Sequence, residues 1–241
     1  MKKPFKISTH LKDVIGKDLV TNEFVAIFEL VKNSFDAGAQ LVQIEVDPIS
    51  DVIRIVDDGK GMNQDDLTSK WLWVAYSAKA DGTEDAEPTD YRDKIRTPGS
   101  YAGSKGIGRF SCDTLGLGLN LYSKSPTDDV VKLSIDWTDF EENSRKEFKE
   151  VFVSIEDHAE FPALVRATTP TTSGTVLEIM GLRHVWDETN LIRLREYLAK
   201  LIDPFGTTKS IQVETFFTLN EKAELNGPIG NSIADVLRDK T

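Results

Sequence analysis

Glu29, Asn33 and Asp36 stand at i, i+4 and i+7 within the stretch Phe24-Val25-Ala26-Ile27-Phe28-Glu29-Leu30-Val31-Lys32-Asn33-Ser34-Phe35-Asp36. On a helix that spacing puts all three on one face. The stretch is otherwise apolar nearly all the way round, so burial on most sides is expected, and an unpaired carboxylate there is costly. The plain reading is a solvated polar stripe. The chemical reading gives each residue a separate role. Glu29 can act as general base toward a water, Asn33 offers a neutral amide oxygen suited to a hard cation such as Mg2+, and Asp36 can hold a neighbouring backbone group or water.

Two glycine-containing stretches follow. Val56-Asp57-Asp58-Gly59-Lys60-Gly61-Met62 comes at a strand end. A carboxylate there can accept a hydrogen bond from an exocyclic amine, the glycines let a flat ring approach the backbone, and Met62 can pack on that ring. A plain Asp-Gly turn is the bland alternative, and metal binding by the two aspartates is another, although the further acidic ligands of a calcium loop are missing. Gly103-Ser104-Lys105-Gly106-Ile107-Gly108-Arg109-Phe110 opens a helix. Exposed backbone N–H groups at such a start, with Lys105 and Arg109 beside them, suit phosphate oxygens. No Gly-Lys-Ser/Thr ends the stretch, so it is not a Walker A loop, and the β-α-β setting of a dinucleotide fingerprint is absent. Gly174-Thr175, which starts a strand, is uninformative by itself.

The elements that must position these residues can be traced along the chain. A weak strand over 5–8 and a short helix over 11–19 precede the main helix, which runs from about Thr21 to Phe35 and is stopped at Gly38. Strands over 41–47 and 52–56 form a hairpin around Asp47-Pro48-Ile49-Ser50-Asp51. A helix capped by Asn63 covers about 65–76. Residues 80–100, rich in Asp, Glu, Gly, Pro and Thr, read as a surface loop. A helix from the glycine stretch to about Leu115 is followed by strands near 117–123, 130–136, 150–156 and 174–180. A helix over about 188–201 and a strand over 211–217 come next, with a last patterned run at 233–237. Helices early and adjacent strands late predict an α/β fold, a two-layer sandwich of helices on a mixed, mostly antiparallel sheet.

Composition limits the function classes. The 241 residues are 39% hydrophobic and 29% charged, as in an ordinary globular protein. No apolar run reaches the ~20 residues of a membrane span. No apolar stretch follows the N-terminal lysines, so neither a membrane protein nor a secreted one is expected. Cys112 is the only cysteine, which excludes an internal disulfide and fits a cytoplasmic location. His10, His158 and His184 are scattered and give no zinc site. A net charge of −11 argues against nucleic-acid binding by bulk charge, leaving nucleic acid as a partner only through a local patch or other regions.

In this order, the four pieces resemble the GHKL ATPase superfamily (gyrase, heat-shock chaperone, histidine kinase, MutL) and its Bergerat ATP-binding fold. Glu29 to Ala39, E-L-V-K-N-S-F-D-A-G-A, is similar to the MutL, chaperone and MORC branch, whereas G-S-K-G-I-G-R-F-S is nearer the chaperone and gyrase pattern. The likeness covers roughly Thr21 to Met180. It implies ATP and Mg2+ as ligands, with Glu29 as catalytic base and Asn33 as the Mg2+ ligand, and with Asp36 in the same site. It implies Asp57 hydrogen-bonded to the adenine amine, helped by a water shared with Thr175, and Gly61 and Met62 lining the base pocket. It implies the phosphates wrapped by Gly103, Lys105, Gly106, Ile107 and Gly108, with Ser104, Arg109 and Phe110 in the same nucleotide site. Residues 77–104 would be a lid whose closure accompanies ATP-dependent homodimerisation of a full-length protein. Lys209 is a positional candidate for the γ-phosphate, with a surface lysine as the bland alternative. The expected division is an ATP-binding domain over 1–205, then a final strand and the start of a following region over 206–241. Two other functions stay open: an ATP- or ADP-binding module without turnover, and histidine-kinase-type phosphotransfer. DNA handling, chaperoning and defence all use this fold.

Overall fold

The computed structural model describes residues 6–14, 20–74, 108–142, 146–158, 160–201, 211–218 and 225–230. Helix α1 spans Glu23–Asp36. Asn22 caps its start by accepting from the Val25 N–H at 2.9 Å. It ends at Ala37, and Gly38 follows with φ 77°, the left-handed turn-off that glycine adopts without penalty. Ala26, Ile27, Leu30, Val31, Ser34 and Asp36 form its buried side.

Strands β1 (Leu41–Asp47) and β2 (Val52–Asp57) make the expected hairpin. The Asp47 carboxylate ties its turn by accepting from the Ile49 and Ser50 N–H groups. Six more strands complete one sheet: β3 (Gly116–Lys124), β4 (Val130–Asp136), β5 (Ser154–His158), β6 (Gly174–Leu182), β7 (Gln212–Phe217) and β8 (Gly227–Pro228). Their order is β5-β4-β3-β6-β2-β1-β7-β8. Among the described strands only β1 and β7 run parallel, so the sheet is mixed and mostly antiparallel, as predicted.

Pleating sorts the two faces. On the face toward the helices, Ile53, Ile179 and Leu119 lie in register across β2, β6 and β3. Ile55, Leu177 and Leu121 form the next row, and Asp57, Thr175 and Ser123 the last. Two apolar rows thus end in a polar one at the rim. Helix α1, the short helix α2 (Ser111–Leu115) and helix α3 (Glu188–Leu198) accompany this face, and their apolar residues share its core.

The opposite face is polar in its middle. Arg54 pairs with Glu45 at 3.0 Å and with Glu178 at 2.9 Å. Part of it is roofed by residues 161–168. The fully buried Glu45 accepts from the Val165, Arg166 and Ala167 N–H groups, and Gln43 accepts from Thr168 N. Beneath that roof Val56, Tyr122, Val130, Phe161 and Val176 form a second apolar cluster.

Several boundaries differ from expectation. Ser8 makes only an isolated bridge to Glu147 instead of belonging to a strand, and the helix begun at Leu11 is described only to Val14. The helix predicted over 65–76 is one α-turn, Gln64–Asp66, followed by a π-turn, Leu67–Trp71. The glycine stretch enters α2 through a 3-10 turn over Gly108–Phe110. The strand predicted over 150–156 begins at Ser154. Glu147 and Glu150 instead box a 3-10 turn, Phe148–Glu150, which is tied to the N-terminal segment by Phe148 N–H donating to Ile7 O. The run at 233–237 lies outside the described residues. Among the described residues no helix is long and apolar enough to cross a membrane.

Candidate functional site

Helix α1 delivers its polar face to the rim of the sheet. Glu29 is not buried as expected: its side chain is 36% exposed and meets Lys32, one turn on, at 3.0 Å. The reason is local, because an i+3 lysine offers a partner that the apolar count around the helix ignores. Asn33 is half-buried and faces the end of the glycine stretch. A Cβ placed on Gly108 would sit 2.9 Å from Asn33 Nδ2 and 3.7 Å from its Oδ1. Asp36 is fully buried at the foot of the helix.

Asp57 closes β2. It is only 7% exposed, and its carboxylate accepts from Ser34 Oγ at 2.8 Å and from the Gly59 N–H at 2.9 Å. Burial outweighs these donors and pushes its pKa up to about 6. The neighbouring Asp58 serves the backbone instead, since its Oδ1 accepts from Gln40 N and Leu41 N and fixes the start of β1. Among the described residues no group of three His, Cys, Asp or Glu side chains is placed to hold a metal ion.

Gly61 has φ 66°, and a Cβ on it would fall 1.8 Å from the Lys124 carbonyl oxygen. Only glycine fits this close approach. Met62 packs partly on the core, and its N–H donates to Ser123 Oγ at 2.8 Å. Thr175 pairs with Asp57 across β2 and β6, and its hydroxyl lies 3.0 Å from Ser123 Oγ. Thr175, more than a hundred residues on, is thus brought beside Asp57 by strand pairing and linked to Met62 through Ser123, with Gly61 held against the Lys124 and Gly174 carbonyls.

Beyond Gly108, Arg109 sets its guanidinium over the Trp71 ring, 5.5 Å from the centroid, and donates to Lys70 O at 3.5 Å. Burial pushes its pKa down to about 10, so it stays charged at neutral pH. Phe110 is a core residue, 2% exposed and packed near Trp137 and Phe148. Gly103, Ser104, Lys105, Gly106 and Ile107, the expected lid 77–104, and Lys209 lie outside the described residues.

A protein family described as histidine kinase-, DNA gyrase B- and HSP90-like ATPase matches residues 20–175. The chain belongs to this ATPase family. Membership carries ATP binding as the family's common property, and the matched region runs from the start of α1 to Thr175. Two curated relatives are similar over shorter stretches. DNA mismatch repair protein MutL of Clostridium acetobutylicum is 36% identical over 65 residues, 27% of this chain and 10% of the relative. MutL of Clostridium botulinum is 38% identical over 73 residues, 30% of this chain and 11% of the relative. The likeness thus spans about a tenth of each relative's length.

Two residues of the candidate site carry no signal in the sequence. Ser34 sits inside the first motif, yet nothing in its spacing announces that its hydroxyl bonds Asp57. Ser123 ends an ordinary alternating strand, and its role appears only once β3 pairs with β6.

Proposed function

We propose that this chain binds ATP with its adenine amine on Asp57, and hydrolyses it slowly to ADP and phosphate in a Mg2+-dependent reaction. The observation that carries the reading is the buried Asp57 carboxylate. Ser34 and Gly59 hold it, while Asn33 and Glu29 stand farther back along the helix that carries Ser34. Burying a carboxylate at a pKa of about 6 costs stability, and a ligand donor at that point gives the cost a purpose.

The roles follow from position. Asp57 accepts from the exocyclic amine, with Thr175 beside it, and Gly61 keeps the backbone close to the ring. Asn33 would hold Mg2+ through its amide oxygen, and the bound ion supplies compensation for phosphate charge that a chain of net charge −11 lacks. The fit is favourable because Asn33 is turned toward Gly108, where the phosphate-wrapping stretch ends. Asp36, fully buried, is assigned to holding a neighbouring backbone group or water. Glu29, paired with Lys32, takes a proton from the attacking water. The water oxygen bonds the γ-phosphorus as the bond to the β–γ bridging oxygen breaks, and ADP is the leaving group. Gly103, Ser104, Lys105, Gly106, Ile107 and Arg109 are assigned to the phosphates by motif. Residues 77–104 act as a lid whose closure favours homodimerisation of the full-length protein. The likeness to MutL favours DNA handling over chaperone-like or defence roles, with nucleic acid contacted through other regions.

Free-phosphate release by the purified chain with Mg2+ tests the reading. Glu29→Ala is expected to lower turnover by about 10²–10⁴ while ATP still binds. Unchanged turnover in that variant refutes the role of Glu29. Stable protein-bound phosphate in place of free phosphate would indicate phosphotransfer, and binding without either product would indicate a regulatory module.

A further inference from the structure

Ser123 has no place in the motifs, yet it is fully buried at the centre of the base site. Its hydroxyl has three neighbours: Met62 N at 2.8 Å, the Gly174 carbonyl oxygen at 3.2 Å and Thr175 Oγ1 at 3.0 Å. A serine hydroxyl has one proton to give and two lone pairs to receive. Met62 N–H can only donate, so it takes one lone pair. The Gly174 carbonyl can only accept, so it takes the proton. The contact with Thr175 is then satisfied in one way only, with the Thr175 hydroxyl donating to Ser123. No other assignment makes all three contacts hydrogen bonds.

The consequence falls on Thr175. Its single proton is committed to Ser123, so it shows the base only lone pairs. Asp57, across the β2–β6 pair, is acceptor-only once ionised. A purine with an amine at position 6 offers N–H donors to such a wall. A 6-oxo purine offers a carbonyl oxygen and leaves the acceptors facing an acceptor. We propose that Ser123 is a specificity-determining positioning residue: by fixing the direction of the Thr175 hydroxyl, it makes the site select 6-amino over 6-oxo purine nucleotides. This rests on the reading of Asp57 as the adenine contact.

The test is calorimetric binding of ADP and IDP, which differ in the 6-substituent and are not turned over at the γ-position. The intact chain is expected to favour ADP. Ser123→Ala frees the Thr175 hydroxyl to rotate and donate, and is expected to narrow the ADP/IDP ratio by about three- to tenfold. Ser123→Thr, which keeps a hydroxyl, is expected to retain more of the preference. In a Thr175→Val background, Ser123→Ala is expected to change the ratio no further, because its effect passes through that hydroxyl. If Ser123→Ala does not fold, Ser123→Cys carries the same comparison with a weak donor of similar size.

A wild-type chain that binds ADP no better than IDP overturns the adenine reading of Asp57 itself. A wild-type preference that Ser123→Ala leaves intact overturns the role of Ser123 alone. An equal narrowing with and without the Thr175 hydroxyl overturns it too, since Ser123 then acts by general packing.

Discussion

At the residue scale, Asp57 makes the sharpest demand on solution conditions. Its folded-state pKa, about 6, lies above its ordinary value of 3.8. The stability it contributes is therefore full below about 3.8 and is lost as pH rises through about 6. On the proposed adenine contact the ionised form is the stronger acceptor, so affinity is expected to run the other way and rise over the same interval. ATP affinity of the wild-type chain, divided by that of Asp57→Asn at each pH, is expected to climb from pH 5 to 7 with a midpoint near 6. Taking the ratio removes the titration of the nucleotide's own phosphates. At the plateau Asp57→Asn is expected to bind about ten- to a hundredfold more weakly, the range for a hydrogen bond to a charged group. A flat ratio, or equal affinities, counts against Asp57 as the adenine contact.

The single residues that sequence made visible share one trait: a carboxylate, an amide or a glycine set in a pattern that plain helix or strand building does not call for. Asn33, Asp57 and Gly61 are candidates on that ground. Ser34 and Ser123 were not, because serine at those positions needs no explanation until its partner is known. Glu29 shows the converse error. The apolar surroundings on the helix suggested burial, while its i+3 neighbour Lys32 keeps it paired at the surface.

At the element scale, two glycines separate folding from function. Gly61 is at φ 66°, with the Lys124 carbonyl oxygen where a Cβ would go. Gly61→Ala is expected to destabilise the fold by about 1–3 kcal/mol or more, read as a lower midpoint in urea. Gly108 meets mainly the Asn33 amide. Gly108→Ala is expected to leave the urea midpoint nearly unchanged and to weaken Mg2+-dependent ATP binding by displacing that amide. Equal losses of stability in the two variants would contradict the assignment. Element boundaries were legible where a cap or a clean alternation marked them, as at Asn63 and over 130–136. They were not where a distant segment intervened. The segment around Ile7 ties down residues 146–148, so β5 starts later than alternation alone suggests.

At the scale of the whole molecule, the N-terminal segment is fastened by a charge cluster that composition conceals. Lys12 is only 1% exposed, and its ammonium lies 2.9 Å from both Asp113 and Glu141. Arg183 bridges the same two carboxylates from the end of β6. Four distant parts of the chain meet there, including the helix that follows the glycine stretch. Breaking such a pair from one side leaves charge stranded. Lys12→Ala is expected to cost about 2–4 kcal/mol in denaturant unfolding, softened because Arg183 remains. A loss within ~0.5 kcal/mol, typical of surface pairs, would place the cluster among them.

The polar row of Asp57, Thr175 and Ser123 also bears on the kinetics of the fold. Its three members arrive on strands from well-separated parts of the chain, and β6 joins β2 to β3 only through non-local pairing. Contacts of that kind form late, after the loops between them have closed. A nucleotide bound there has little to hold in the folding transition state. Stopped-flow refolding with ADP is therefore expected to match the rate without it, while unfolding slows as ADP is raised. The ligand would act as a brake on opening, and the lifetime of the folded chain would follow the nucleotide supply around it.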